Sequence, residues 1–380
     1  MTRQEWLSLW LHYGVNAQAK PFAQVSELFS SVEEAYDCAC KRKSSAFAGV
    51  SDETKSRLFE AVNERFMDRY TAWLERHGVG ITTLDSDDYP ALLREIYSPP
   101  PLLFYRGRIE ADTALPIALI GARTCTDYGK GVARTLGRQL AEHGATVVTG
   151  LADGIDTHAT LGALDCETSA YPSIDVLGCG IDVVYPSGNK QLYEALAERG
   201  AVVTEFLPKT PALHYHFPIR NRIISGLSRA VAVVEAGERS GSSITMSHAL
   251  EQGRDVFAVP GRITDPMSVG TNGAIVRGEA KPILSVTDIL CEFASDVLGV
   301  SMADAAVHVP LSSLDELEQE VYRALSKGEK NIDELYELLA CSINELNSVL
   351  TGMCFLGIIK QQQGRTYACD TLKIIIDIDS

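Results

Sequence analysis

No apolar stretch in this chain is long enough to cross a bilayer as a helix. The opening MTRQEWLSLW has polar residues breaking its apolar ones, and no small-residue cleavage site follows, so no secretory leader is expected. The nine cysteines are an odd number. Only Cys38 and Cys40 stand close, as C-x-C, and no second pair sits at zinc-ligand spacing. No metal site is therefore expected, and the thiols read as reduced ones of a cytoplasmic protein. Also missing are a nucleophile elbow, a metalloprotease helix, a Walker loop and a kinase motif. No nucleophile stands beside a base at recognisable spacing, so no catalytic residue and no cofactor is assigned. Basic residues are in short supply: 34 Lys and Arg against 50 Asp and Glu, a net charge of −16. That balance argues against a general nucleic-acid binder, whose non-specific affinity is mostly electrostatic. The acid is concentrated towards the C-terminus, however, and a local basic groove is compatible with an acidic whole.

At 380 residues the chain is too long for one ordinary core, and two or three domains are expected. Residues 1–80 read as a small helical domain, of SAM or helix–hairpin–helix type. Trp6, Leu7, Trp10 and Leu11 recur at helical spacing, as do Phe59, Val62, Phe66, Tyr70, Trp73 and Leu74. From residue 81 to 295, strand-like runs alternate with helical segments. The clearest runs are Ile117–Ile120, Thr146–Thr149, Ile174–Leu177, Val202–Glu205, Val231–Val234 and Val256–Val259. Near-continuous apolar strands separated by helices imply a parallel sheet covered on both faces, an α/β class. Such sheets bind ligands beyond the carboxyl ends of their strands. Gly121, Gly150, Gly178 and Gly261 cluster there.

Residues 296–311 read as a linker, and residues 312–380 as a third unit. Helical patterns at Leu314–Leu325, Ile332–Leu339 and Ile343–Phe355 precede strand-like runs at Gly357–Lys360 and Thr366–Ala368, with Gln361–Arg365 as the turn. That order suits a winged helix. Its third helix, Ser342–Cys354, carries Glu345 and no Lys or Arg, so it suits a protein contact better than a DNA groove.

The segment Phe217–Gly261 carries most of the chemistry. Arg220 and Arg222 flank Asn221 at a helix start, and Ser240, Gly241, Ser242 and Ser243 form a small-residue loop before another helix. Backbone N–H groups at such a loop meet anions, and guanidinium groups add bidentate phosphate recognition. Arg220 falls inside the apolar arc of Ile219, Ile223, Ile224 and Leu227, and Arg222 outside it. A buried arginine needs a partner. A phosphate is one; Glu205 or Glu235 is the structural alternative. Upstream, His214, Tyr215, His216 and Phe217 offer planar groups, and His216 and Phe217 are the candidates for base stacking. Gly121 permits close backbone approach and Arg123 follows it. This turn is not G-x-G-x-x-G, so dinucleotide binding is not supported. Asp156 reads as a helix cap or an arginine partner, and Asn189 as a cap for the next helix. Lys190 is either a phosphate contact or a solvated lysine.

IGARTCTDYG, TGLADGIDTHA, GCGIDVVYPSGN, HFPIRNRIISGLS and SGSSITMSHALEQGRDVFAVPG, in that order, closely resemble the DprA family of bacterial DNA-processing proteins, also called Smf. The resemblance covers about residues 81–285. It implies an extended Rossmann-like domain that binds single-stranded DNA, forms a homodimer, and loads the recombinase RecA during natural transformation, without catalysis. Arg123 matches the arginine of the family's Gly-Ser-Arg turn, with Ala122 in place of serine. Arg220, Asn221 and Arg222 match its Arg-Asn-Arg core. Ser240, Gly241 and Ser242 match its Ser-Gly-Ser loop, and Ser243 departs from leucine. Ser187 stands where a basic residue often follows Tyr-Pro. The sheet also resembles nucleotide-cleaving phosphoribohydrolases, but their Pro-Gly-Gly loop with its catalytic glutamate is absent. A sensor of free nucleotides is a third reading.

Overall fold

Each short run of β-branched and small apolar residues forms a strand, because such side chains pack well on a pleated surface buried on both faces. The computed structural model describes residues 1–113, 115–238, 240–293, 307–311, 314–339, 341–355, 358–362, 366–369 and 374–377. Contacts divide the chain into Met1–Ile289 and Leu290–Ser380.

The first unit is built on one nine-stranded sheet. Its strands are β1 (Gly80–Thr83), β2 (Leu102–Gly107), β3 (Pro116–Ile120), β4 (Thr146–Thr149), β5 (Ser173–Val176), β6 (Ala201–Thr204), β7 (Ala230–Val233), β8 (Asp255–Ala258) and β9 (Lys281–Pro282). Their order is β1-β2-β6-β5-β4-β3-β7-β8-β9. From β6 to β9 neighbours are parallel, and β1 and β2 extend the sheet antiparallel. Four of the six expected runs begin and end one residue earlier than read, β3 begins one earlier and ends as read, and β4 agrees at both ends. β1, β2 and β9 carried no signal strong enough to read.

Five helices precede the sheet: α1 (Arg3–Gly14), α2 (Ala19–Leu28), α3 (Val32–Cys40), α4 (Asp52–Ala61) and α5 (Glu64–Arg76). Thr2 starts α1 in a capping box with Glu5, and Ser31 and Ser51 cap α3 and α4. These helices do not close a core of their own. Leu7, Trp10, Phe47 and Leu58 join Phe104, Leu151, Leu177 and Val202 in one buried cluster. The sequence drew a boundary near residue 80; the packing runs through it. Full burial of a side chain such as Leu7 contributes about 1.5–3 kcal/mol, so the sheet's face and α1 depend on each other. The contact also has a polar pin: His12 Nε2 donates to the Glu205 carbonyl at 2.7 Å. Burial pulls the His12 imidazole down to about 4, against that bond.

The short α6 (Ala91–Arg94) lies between β1 and β2. The crossover helices are α7 (Asp127–Glu142), α8 (Ile155–Asp165), α9 (Lys190–Arg199), α10 (His216–Gly226), α11 (Ser242–Glu251) and α12 (Val269–Val276). α7 and α8 touch backbone to backbone. A Cβ on Gly137 would meet the Ala159 carbonyl at 2.3 Å, and one on Gly162 the Arg134 carbonyl at 2.0 Å. From β3 the chain builds outward through β4, β5 and β6; from β7 it builds the other way. The direction reverses between β3 and β7, which leaves a crevice at their carboxyl ends.

The second unit contains helices Glu316–Leu325, Ile332–Leu338 and Ile343–Phe355, packed on a core that includes Val321, Leu335, Leu346, Leu350 and Ile359. Capping boxes of Asp315 with Glu318 and Asn331 with Glu334 begin the first two. Strand Thr366–Cys369 lies between Lys330–Asn331 and Ile359–Gln362, all antiparallel. The expected turn thus loses Gln361 and Gln362 to a strand, and residues 363–365 lie outside the described residues. So do residues 296–306 of the expected linker. Val307–Pro310, also expected there, is a strand paired parallel with Ile374–Asp377.

Candidate nucleic-acid interface

The crevice at the reversal point is stitched together by backbone bonds. The Ala122 N–H donates to the Glu235 carbonyl at 2.8 Å, and the Ile155 N–H to the Ala122 carbonyl at 3.2 Å. These join the ends of β3 and β7 to the start of α8. A Cβ at Gly121 would meet Ile155 at 2.6 Å and the Glu235 carbonyl at 2.9 Å, so this turn needs glycine. The Glu235 carboxylate is 2% exposed. It accepts from the Thr126 amide at 2.9 Å and from the Thr126 hydroxyl, and Thr126 in turn caps α7 through the Gly129 N–H. Glu235 therefore anchors a helix start instead of an arginine.

Arg220 lies on the buried side of α10, 3% exposed. Its Nη1 donates to the Gly150 carbonyl at 2.8 Å and to the Val176 carbonyl, and its Nε to Asn221 Oδ1 at 3.2 Å. The Gly150 N–H donates to Asp156 Oδ2 at 3.0 Å. Arginine and aspartate thus grip the same residue, Gly150, at the end of β4. Burial pushes the Asp156 carboxyl up to about 6, opposed by Arg220 and by backbone bonds from Gly150, Ala152 and Gly121. Burial pulls Arg220 down to about 10, with Asp156 opposing, so the guanidinium stays charged at neutral pH. The sequence allowed Asp156 as an arginine partner; it supports the Arg220 charge without an ion pair, and the guanidinium is bonded to the two carbonyls instead.

Above this clamp lies a cleft of about 540 Å3, lined by Arg123, Phe217, Arg220, Asn221 and the Ser240–Ser242 turn. Arg123 is exposed, and its guanidinium carbon stands 4.5 Å from the Phe217 ring centroid. Among the described residues no carboxylate forms an ion pair with it. The Phe217 ring packs where a Gly178 Cβ would be, 2.7 Å away, and meets Tyr185 at 5.4 Å. Gly241 stands at the N-cap of α11, and the Ser240 hydroxyl accepts from the Ser242 N–H at 3.4 Å and bonds the Ser242 hydroxyl at 2.7 Å. The positive end of a helix, a guanidinium without a carboxylate partner and an aromatic face together suit a phosphate and a planar base.

Other candidates are placed elsewhere. Arg222 faces away from the cleft and holds Glu205 with both Nη atoms, at 3.0 and 2.7 Å. The ion pair weighed for Arg220 exists, but Arg222 makes it. His216 is 8% exposed, stacked on Phe206 at 4.3 Å and bonded to the Pro211 carbonyl. Ser243 lines a different hollow, with Met246 and Leu250. Lys190 is exposed at the start of α9. Asn189 does not cap that helix; its Nδ2 bridges the Leu151 carbonyl and Thr157 Oγ1, at 3.1 and 2.8 Å. The reading missed Tyr185 as a cleft neighbour and Glu235 as an anchor, because both contacts join segments far apart in sequence. Among the described residues no cluster of three His, Cys, Asp or Glu could hold a metal ion. None of the described helices is long and apolar enough to cross a membrane.

Comparison with known proteins places this architecture. The family model for DNA recombination-mediator protein A matches residues 80–294. DNA processing protein DprA of Streptococcus pneumoniae is 44% identical over 208 residues, 54% of this chain and 72% of its own length. Protein Smf of Escherichia coli is 40% identical over 225 residues, 59% of each chain. The crystal structure of DNA processing protein A from Streptococcus pneumoniae aligns with a TM-score of 0.65 at 33% identity, covering 77% of this chain and 99% of that one. A structure describing the single-stranded DNA binding mode of DNA processing protein A from Helicobacter pylori aligns with a TM-score of 0.51 at 28% identity, covering 57% of this chain and 96% of that one.

Proposed function

The chain belongs to the DNA recombination-mediator protein A family, and on that premise we propose that it captures single-stranded DNA in the cleft at the β3–β7 reversal. The Arg123–Phe217 stack carries this reading. A guanidinium with no carboxylate partner lies on an aromatic face, beside the Ser240–Ser242 turn that opens α11. Arg123 would meet a phosphate, Phe217 would support a base, and the positive end of α11 would face a second phosphate. Arg220 and Asn221 form the floor and shape the cleft. Arg220 acts through the Gly150 and Val176 carbonyls it holds. Duplex DNA presents no unstacked bases to such a platform, so single strands are preferred.

In this proposal the protein is a mediator without catalysis. It guards incoming single strands during transformation and passes them to a RecA-type recombinase. Ile263, Val276 and Leu284, each at least 87% exposed, cluster in sequence around the β8–β9 end of the sheet and support a homodimer through that end. The acidic second unit, read as winged-helix-like, serves partner contact.

Fluorescence anisotropy with oligo(dT), the matching duplex and mononucleotides tests the reading. Single strands should bind tightest, with affinity falling steeply with salt. Arg123→Ala should weaken single-strand binding by about tenfold or more, the scale of a charge-assisted bond, with melting temperature unchanged. Equal affinity for duplex and single strand, or tighter binding of mononucleotides, would sink it.

A further inference from the structure

The turn spanning residues 213–217 has a hollow on each side. His214 and Phe217 line the central cleft. Leu213, Tyr215 and His216 line a second groove of about 410 Å3, whose opposite wall comes from α1, α4 and α5. Tyr215 stands on the ridge between them, 52% exposed, edge-on to His214 at 5.4 Å and to His216 at 4.6 Å. The opposite wall is rich in donors. Arg57 is half-buried; its Nη2 donates to the Tyr13 carbonyl at 2.9 Å, and its guanidinium lies over the Tyr13 ring at 5.0 Å. Among the described residues it has no carboxylate in ion-pair range. The Arg57 Nε and the Tyr70 hydroxyl have no hydrogen-bond partner. Lys209, exposed, also lines the groove, and its backbone N–H donates to Asp182 Oδ1 at 2.7 Å.

A half-buried guanidinium without a counter-ion, beside unmet donors, is costly in a folded protein. An anion in the groove removes that cost. We propose that this groove is a second subsite for the single strand, and that it takes a phosphodiester of the strand leaving the central cleft over Tyr215. The proposal rests on the strand-binding reading of that cleft. Continuity favours nucleic acid over an acidic peptide. One turn lines both hollows, and its exposed ring is a platform for the base between two phosphate positions, the alternation that single-strand grooves use. Among the described residues Asp182 is the carboxylate acting on Tyr70, against the cations Arg57 and Lys209 that line the groove.

The test is an oligo(dT) series from about 4 to about 16 nucleotides, bound to the full chain and to Lys209→Glu, Arg57→Gln and Arg123→Ala. Lys209→Glu changes an exposed side chain and keeps the test valid should Arg57→Gln unfold. Short oligonucleotides should bind Lys209→Glu as tightly as the parent. Long ones should lose about tenfold, and the slope of log affinity against log salt should fall by about 0.7 for each cation removed. No loss with Lys209→Glu at any length, while Arg123→Ala is impaired, overturns the second subsite alone. Equal loss at all lengths also overturns it, because the groove then acts through the central cleft. Unchanged DNA binding with lost affinity for a poly-glutamate peptide assigns the groove to an acidic partner instead. An Arg123→Ala variant unimpaired at every length removes the premise, and the proposal falls with it.

Discussion

Replacing Arg222 by alanine leaves the Glu205 carboxylate buried without its counter-ion. The Arg222 and Glu205 side chains are 14% and 5% exposed, and the pair is bidentate. Exposure decides the magnitude. A solvated pair contributes about 0–1 kcal/mol, but removing one partner of a buried pair costs about 3–5 kcal/mol, because the orphaned charge stays out of water. Burial already pushes the Glu205 carboxyl up while Arg222 holds it down, so the residue has little tolerance for losing its partner. The loss also reaches α1, since the Glu205 carbonyl accepts from His12. Arg222→Ala should therefore lower the melting temperature by roughly 6–10 °C, at about 2 °C per kcal/mol for a unit of this size. Arg222→Met with Glu205→Leu should recover most of that loss, because no buried charge remains. Single-strand affinity measured well below the transition should hardly change. An unshifted melting temperature with affinity reduced about tenfold would refute the reasoning and return Arg222 to the DNA contacts.

Gly150→Ala places a Cβ 2.6 Å from the Arg220 guanidinium; the overpacking should cost about 1–3 kcal/mol and weaken single-strand binding, as chemical denaturation and anisotropy would show. Burial pushes the Asp175 carboxyl up to about 7, against bonds from Ser173, Thr160 and Thr149. Its folded-state affinity for a proton exceeds its unfolded one, so its contribution is fully present below about pH 4 and lost as pH rises through about 7. The stability of Asp175→Asn relative to the parent should therefore grow from pH 4 to 7, and parallel pH profiles would refute this. A chain ending at Phe293 should keep most of its single-strand affinity. Residues 312–356 carry nine acidic and three basic side chains, a surface that repels the DNA backbone. A loss of about tenfold in a folded truncated chain would overturn that charge argument.

Local periodicity was enough to read the sheet. Apolar runs of four residues placed six of the seven parallel strands to within one residue, because strands buried on both faces must be continuously apolar. The helix order of the second unit was legible for a similar reason. Arg220 on the buried side of its helix followed from the turn angle alone, and with it the need for a partner. What stayed hidden depends on separation along the chain. The partner of Arg220 proved to be two carbonyls, at Gly150 and Val176, and no residue type announces a carbonyl. Glu205 and Glu235 looked equivalent beside an arginine. Topology gave Glu205 to Arg222 and Glu235 to Thr126. The helical N-terminus looked like a domain because its own spacing was regular, yet its apolar residues pack on one another and on β2 and β6 in one continuous core. The sequence by itself determined which segments are strands and which residue types line their ends. Tertiary structure alone decided which arginine is spent inside the protein and which, Arg123, is left facing out. Burial and pairing depend on neighbours that the fold brings from a hundred residues away.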